Sequence, residues 1–217
     1  MTRVAVFAGR GKTGRAVSTH LPHVRPLGRD GWDLDGCDAA YLIAPNLHPD
    51  EPAYVAAALD AMRAAGVGRV VYHSVASPYV PAMPHHVGKA ASEDLVRRSG
   101  LAWTVLQPGA YLQNLDLSGP VLEVPYDVDA VFGFLDLADL GVAAARVLLE
   151  DGHNGATYEL ASRQATVRQL AAEAGVEARQ VADPGAHPWL SAMFAYYDDH
   201  GLPAGTLTLR ALLDGSS

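Results

Sequence analysis

The opening of the chain constrains its fold most tightly. The β-branched apolar run Arg3 to Ala8 (RVAVFA) passes directly into Gly9-Arg10-Gly11-Lys12-Thr13-Gly14, and a helical pattern follows from Thr13 to Leu21. A short apolar strand that turns on glycine straight into a helix is the first step of a parallel sheet, since a parallel partner is reached only through a crossover. The pattern then repeats. Val24 to Leu27 reads as a second, weaker strand and Asp38 to Ala44 (DAAYLIA) as a third, continuously apolar as a strand covered on both faces is. Asp50-Glu51-Pro52 supplies an acidic start and an early proline to a helix running to about Ala65, where Gly66 and Gly68 stop it. Arg69 to Ser74 (RVVYHS) is a fourth strand, roughly Gly88 to Ser99 a helix, and Trp103 to Leu106 a fifth strand closed by Gln107-Pro108-Gly109. Strands alternating with helices imply βαβ units, so the expected fold class is α/β, a doubly wound parallel sheet with helices on both faces.

Beyond Gly119 the pattern loosens. Phe134 to Glu150 reads as a strand end leading into a helix, Gly155 to Leu160 as a strand and Val167 to Ala174 as a short helix; the Pro-, Gly- and aromatic-rich stretch from Asp183 reads as a cap over the sheet. No repeat or linker divides the chain, so residues 1–217 are expected to form one unit in which 115–217 contribute a small substrate-binding part. With 49% hydrophobic and 18% charged residues the chain can build one substantial core. Sixteen basic against 24 acidic residues leave a formal charge of −8, which lacks the field that nucleic acid requires. The single cysteine, Cys37, excludes an internal disulfide and a thiolate cluster, and no metal site is expected. The first apolar run is too short for a signal peptide and none approaches the roughly 18 residues of a membrane span, so the cytoplasm is the default compartment and a membrane is no expected partner. A homo-oligomer stays open.

The glycine run fits G-x-G-x-x-G in the strand-turn-helix context that this fingerprint of the Rossmann fold requires. Its glycines let backbone approach a pyrophosphate while helix N–H groups face the negative charge. Dinucleotide binding by Gly9, Gly11, Lys12, Thr13 and Gly14 is therefore expected, with a purely structural turn as the alternative. About fifteen residues further on stands Leu27-Gly28-Arg29-Asp30, where an arginine meets a 2′-phosphate and an acid meets ribose hydroxyls. Arg29, helped by Arg10, Lys12 and Arg15, favours NADP(H) over NAD(H), unless Arg29 is a solvated residue and Asp30 takes the ribose.

Gly9 to Arg15 (GRGKTGR), His85 to Glu93 (HHVGKAASE) and Ser99 to Asn114 (SGLAWTVLQPGAYLQN) together resemble the NmrA-like family of atypical short-chain dehydrogenases/reductases. The resemblance continues through Phe134 to Glu150 and Thr157 to Leu160. It implies a Rossmann domain binding NADP(H), a small C-terminal substrate-binding lobe, and either reduction of quinones or other small molecules or redox sensing without turnover. Three departures mark a shortened member. Ala8 stands where the family commonly has its first glycine; only about eight residues separate Arg29 from the strand at Asp38, where the family fits a helix and a further strand; and the sequence stops at Ser217, where relatives carry on.

Typical short-chain dehydrogenases use Tyr-x-x-x-Lys, but four residues before Lys89 stands His85, so reduction by a tyrosine acid is unsupported. Lysine occurs only twice, at Lys12 and Lys89, against fourteen arginines, and Lys89 falls on the family's lysine position, where an ammonium holds ribose hydroxyls or moves a proton. The alternative is a surface lysine paired with Glu93 one turn on. His85, read with His86 in a proline-flanked loop, is a candidate proton donor near neutral pH. Ser74, at a strand's C-terminal end, resembles the family's serine beside the nicotinamide, or is simply a turn former. Ala44 and Pro45 are expected to pass the cofactor ribose, and Pro108, Gly109, Tyr111 and Asn114 to line the nicotinamide and substrate side. Trp189, Phe194, Tyr196 and Tyr197 form either a lid for a flat apolar ligand or the packing of the second lobe. The expected activity is hydride transfer to a small apolar substrate such as a quinone or enone. The competing readings are an NADP(H) sensor and a nonredox isomerase, cyclase or dehydratase on the same scaffold.

Overall fold

The computed structural model describes residues 2–28 and 31–214; Arg29 and Asp30, to which the nucleotide preference was ascribed, lie outside the described residues. Six strands form one parallel sheet: β1 (Val4–Val6), β2 (Val24–Pro26), β3 (Ala39–Leu42), β4 (Arg69–His73), β5 (Ala102–Pro108) and, after a long excursion, β9 (Ala156–Leu160). Their spatial order is β2-β1-β3-β4-β5-β9. The chain thus winds outward in both directions from β1, with β1 paired to β2 on one side (Val4 opposite Val24) and to β3 on the other (Val6 opposite Tyr41).

Period-two alternation sorts the strand residues between two helical layers. Val4, Val6, Tyr41 and Val71 face α1 (Lys12–Ser18), α4 (Leu137–Leu149) and α7 (Leu207–Asp214), whereas Ala5, Phe7, Leu42, Val70 and Tyr72 face α2 (Glu51–Ala64) and α3 (Pro84–Arg97). Among the described residues no helix lies between β2 and β3. Trp32 covers that end of the second layer, its ring edge-on to Phe7 at 5.1 Å and to Tyr54 at 5.3 Å, and Asp33 pairs with Arg25 of β2 at 2.8 Å.

The helix ends follow local chemistry. Asp50 caps α2 by accepting from the Ala53 N–H at 3.0 Å, with Pro52 in the first turn and Gly66 left-handed (φ 74°) just beyond the end. α5 (Val167–Ala174) has a complete capping box, Thr166 with Gln169, and ends on left-handed Gly175. One boundary departs from the sequence reading: α3 begins at Pro84 and not near Gly88. Proline is favoured in a first helical turn, so the residues read as a histidine-bearing loop are that turn.

The excursion between β5 and β9, with the chain after β9, builds a second cluster. β6 (Ala110–Tyr111) and β10 (Arg163–Thr166) flank β8 (Val131–Leu135), while β7 (Val121–Val124) pairs in parallel with β11 (Glu177–Gln180). These strands, α5 and α6 (Pro188–His200) enclose Phe132, Phe134, Leu122, Val124, Leu170 and Tyr197. Gly109 lets the two sheets touch, since a Cβ there would stand 2.0 Å from the Gly133 carbonyl oxygen.

Candidate active site

The glycine loop leaves the C-terminal end of β1, and its three glycines do different work. A Cβ on Gly9 would lie 2.7 Å from the Val6 oxygen and 2.8 Å from Pro26 Cα, and one on Gly14 would lie 2.4 Å from the Ala8 oxygen and 2.7 Å from Gly9 Cα. Both are barred from carrying side chains by backbone packed against them. At Gly11, the N-cap of α1, a Cβ would meet only the Ala8 oxygen at 3.2 Å. These are the roles the dinucleotide fingerprint assigns: a tight turn, an open approach for the pyrophosphate, and close helix-to-strand packing. The left-handed residue is Ala8, with φ 49°, one position before the first glycine and where the family places its own.

Lys12 and Thr13 reach across to the segment after β5. Lys12 Nζ donates to Asn114 Oδ1 at 2.8 Å and to the Gln113 carbonyl at 3.3 Å. Thr13 stands beside the Tyr111 hydroxyl, which meets His73 Nε2 at 2.9 Å; His73 Nδ1 in turn meets the Tyr41 hydroxyl at 2.7 Å. Burial, reinforced by the Lys89 charge, lowers His73 to about 3, so this imidazole is neutral and bridges two phenols raised by their own burial. The chain of contacts ties the glycine loop to the middle of the sheet. Tyr111 is thus core and loop support together, while Ala44 and Pro108 are buried at the ends of β3 and β5.

On the opposite layer, α2, β4 and α3 bring together Glu51, Tyr72, the His73 carbonyl and Lys89. Lys89 Nζ, 8% exposed, lies 2.8 Å from Oε1 of Glu51, 3% exposed, and donates to the His73 carbonyl at 3.1 Å. Tyr72 donates to the same Glu51 oxygen at 2.6 Å. Among the described residues two of the three Lys89 N–H donors are thereby occupied and one is left. The pairing of Lys89 with Glu93 is not formed; Glu93 takes Arg97 one turn on, at 2.8 Å. Glu93 is fully buried and also accepts from Ser74 Oγ at 2.5 Å and from Gln107 Nε2 at 2.8 Å. The Ser74 hydroxyl is therefore committed to a buried carboxylate.

His85 stands half-buried on the first turn of α3, its ring 6.3 Å from that of Trp189 and 26° from parallel. Desolvation, with the Lys89 charge, lowers it to about 4, so at neutral pH it carries no proton to give as an imidazolium. His86 is fully buried and also lowered to about 4. A small cleft opens between the starts of α2, α3 and α6, lined in part by His48, Glu51, His85, Gly88 and Trp189. Of the late aromatic residues only Trp189 reaches it; Phe194 and Tyr197 pack on Tyr126, and Tyr197 also on Phe132. Cys37 is buried and its thiol is raised chiefly by that burial.

Sequence reasoning passes over Glu51, Tyr72, His73 and Tyr41, and reads Glu93 only as a surface partner for Lys89. Glu51 carries the signal of an acidic helix start and nothing more, because its burial against Lys89 arises from tertiary packing. Among the described residues no helix is long and apolar enough to cross a membrane, and no group of three or more His, Cys, Asp or Glu is placed to hold a metal ion.

Residues 33–125 match the sequence pattern of a family described as NAD(P)H-binding, a span that begins beyond the glycine loop. The chain is 30% identical over 161 residues to an NAD(P)H azoreductase of Xenophilus azovorans, covering 69% of this chain and 56% of that protein. It is 37% identical over 125 residues to quinone oxidoreductase 2 of Escherichia coli strain K12, covering 53% and 42%. The matched stretch spans about half the length of these relatives. Among solved structures, an NADPH-dependent quinone oxidoreductase from Escherichia coli complexed with NADPH shares the fold, with a TM-score of 0.81 at 23% identity over 97% of this chain and 94% of that one. The six-stranded parallel sheet and the fingerprint loop define a Rossmann-type α/β fold, and residues 33–125 are similar to a family described as NAD(P)H-binding.

Proposed function

We propose that the protein is an NADPH-dependent reductase that passes hydride to a small apolar acceptor of the quinone or enone class. The observation that carries this reading is the placement, along the C-terminal edge of one parallel sheet, of a glycine loop open at Gly11 and an ammonium, Lys89, held by a buried carboxylate with one N–H unspent. Backbone from Gly9 to Gly14 would take the pyrophosphate, with Thr13 at the start of α1. Ala44 and Pro45 would pass the ribose, Pro108 and Tyr111 would back the nicotinamide side, and Arg29 with Lys12 would favour a 2′-phosphate. When bound, the nicotinamide supplies the hydride.

The chain's own residues supply position and a proton. The remaining Lys89 N–H would meet a ribose hydroxyl or the acceptor oxygen, and Glu51 holds the ammonium in place. Because His85 is neutral, it serves as a hydrogen-bonding wall beside Trp189 and not as the acid. Ser74, held by Glu93, acts as a positioning residue for the end of β4. The 115–217 part, with Trp189 at its edge, would cover the acceptor. Reductases of quinones and azo compounds among the relatives support this chemistry.

The test is NADPH oxidation with a panel of quinones and enones. Turnover is expected, and Lys89→Met should lower kcat by about 10²-fold, the low end for a positioned proton donor. A panel without turnover, together with tight NADPH binding, would instead support the sensor reading, which the neutral His85 and the committed Ser74 favour.

A further inference from the structure

We propose that the cleft between the starts of α2, α3 and α6 is a binding site for a single flat ring bearing an O–H donor, a phenol or hydroquinone, with the hydroxyl donating to Glu51 Oε2. This rests on the reductase reading's placement of the acceptor beside His85 and Trp189, and names the form of the ring that the cleft holds.

The first observation is a buried acceptor in want of a donor. Glu51 lines the cleft and is 3% exposed; its Oε1 receives Lys89 and Tyr72, but its Oε2 is buried with no hydrogen-bond partner among the described residues. A buried carboxylate oxygen left unpaired is costly, and a ligand that brings a donor recovers that cost. Lys89 already neutralises the carboxylate charge, so the complementary group is a neutral O–H and not a cation.

Size and shape narrow the ligand further. The cleft holds about 160 Å³, close to the roughly 150 Å³ that accommodates one benzene ring. Pro49, Pro52 and Pro84 give it apolar surface, and the nearly parallel rings of His85 and Trp189 give it a flat wall. A Cβ on Gly88 would meet nothing within 4 Å, so the α3 surface there is bare and leaves room for a ring. A hydroquinone is the reduced form of a quinone, and such a site would hold the reduced ring in preference to the oxidised one, which has no donor.

Quenching of tryptophan fluorescence in the full chain, without nucleotide, tests this with para-cresol and its O-methyl ether. Para-cresol should quench saturably and bind at least about ten-fold tighter than the ether, the equivalent of one ordinary hydrogen bond. Trp189→Phe should remove the signal, and Gly88→Leu, a helix-favouring change that fills the cleft, should abolish binding while the protein stays folded. Equal affinity for phenol and ether, or undiminished binding by Gly88→Leu, would overturn the proposal. So would complete displacement of para-cresol by NADPH, which would give the cleft to the nicotinamide ring. Since nucleotide is absent from the primary titration, its failure leaves the reductase reading standing, and failure of NADPH turnover leaves this one standing.

Discussion

Replacing Lys89 with methionine should destabilise the fold more than any other single change near the site. The ammonium is 8% and its partner carboxylate 3% exposed, at 2.8 Å, so the pair is shielded from solvent screening. In Lys89→Met, Glu51 keeps the Tyr72 hydroxyl as its one donor and becomes an uncompensated buried charge, which costs about 3–5 kcal/mol. For a chain of this size that is a fall in Tm of roughly 6–20 °C. Glu51→Gln alone should cost less, because the remaining Lys89 ammonium still donates to the His73 carbonyl. The double variant removes both charges and should recover most of the loss, giving a coupling of at least about 2 kcal/mol in urea unfolding. Additivity of the two single effects within about 0.5 kcal/mol would refute the buried pair as the organising contact of this site.

Gly14→Ala should destabilise by about 1–3 kcal/mol, because its methyl would stand 2.4 Å from a backbone oxygen, whereas Gly11→Ala should unfold much as the parent does and weaken NADPH binding instead; thermal melts beside nucleotide titrations separate the two. Ser74→Ala removes a hydrogen bond to buried Glu93 and should cost about 1.5–3 kcal/mol in urea unfolding while leaving the dissociation constant for NADPH unchanged; a lowered affinity with unchanged stability would place Ser74 at the cofactor instead. Stability should fall as pH drops from about 6.5 towards 4. His73 and His86 are held in the fold at about 3 and about 4, below the ordinary 6.5, so in this window the unfolded chain binds protons that the folded one refuses. Each contributes at most about 1.4 kcal/mol per pH unit to the slope, and a flat profile between those limits would contradict the burial of both.

Much of this arrangement can be read from local signals. The run from Arg3 to Gly14 dictates strand, turn and helix because its β-branched apolar run and its glycines each act within a few residues, and α5 is legible from Thr166 to Gly175 because its capping box and left-handed glycine are local too. The short link between β2 and β3 is legible as a length, and in the fold Trp32 packs there edge-on to Phe7 and Tyr54. β6, β7, β10 and β11 are not legible, being two to four residues long and paired with distant partners. Lys89 stands out by its rarity, but the carboxylate that holds it lies 38 positions away on another helix, and only packing joins them. His85 shows the same limit: its residue type suggested a proton donor, and burial made it neutral.

The reductase reading requires the glycine loop to be a working NADPH site. Titration of the purified protein with NADPH and NADH, followed by nicotinamide fluorescence with Gly11→Ala, Lys12→Ala and Arg29→Ala as controls, tests that most directly. Micromolar binding that favours NADPH, weakens in all three variants and loses its preference over NADH in Arg29→Ala is the expected result. Absence of binding by either nucleotide would make the loop a structural remnant, and the reductase assignment would fall with it.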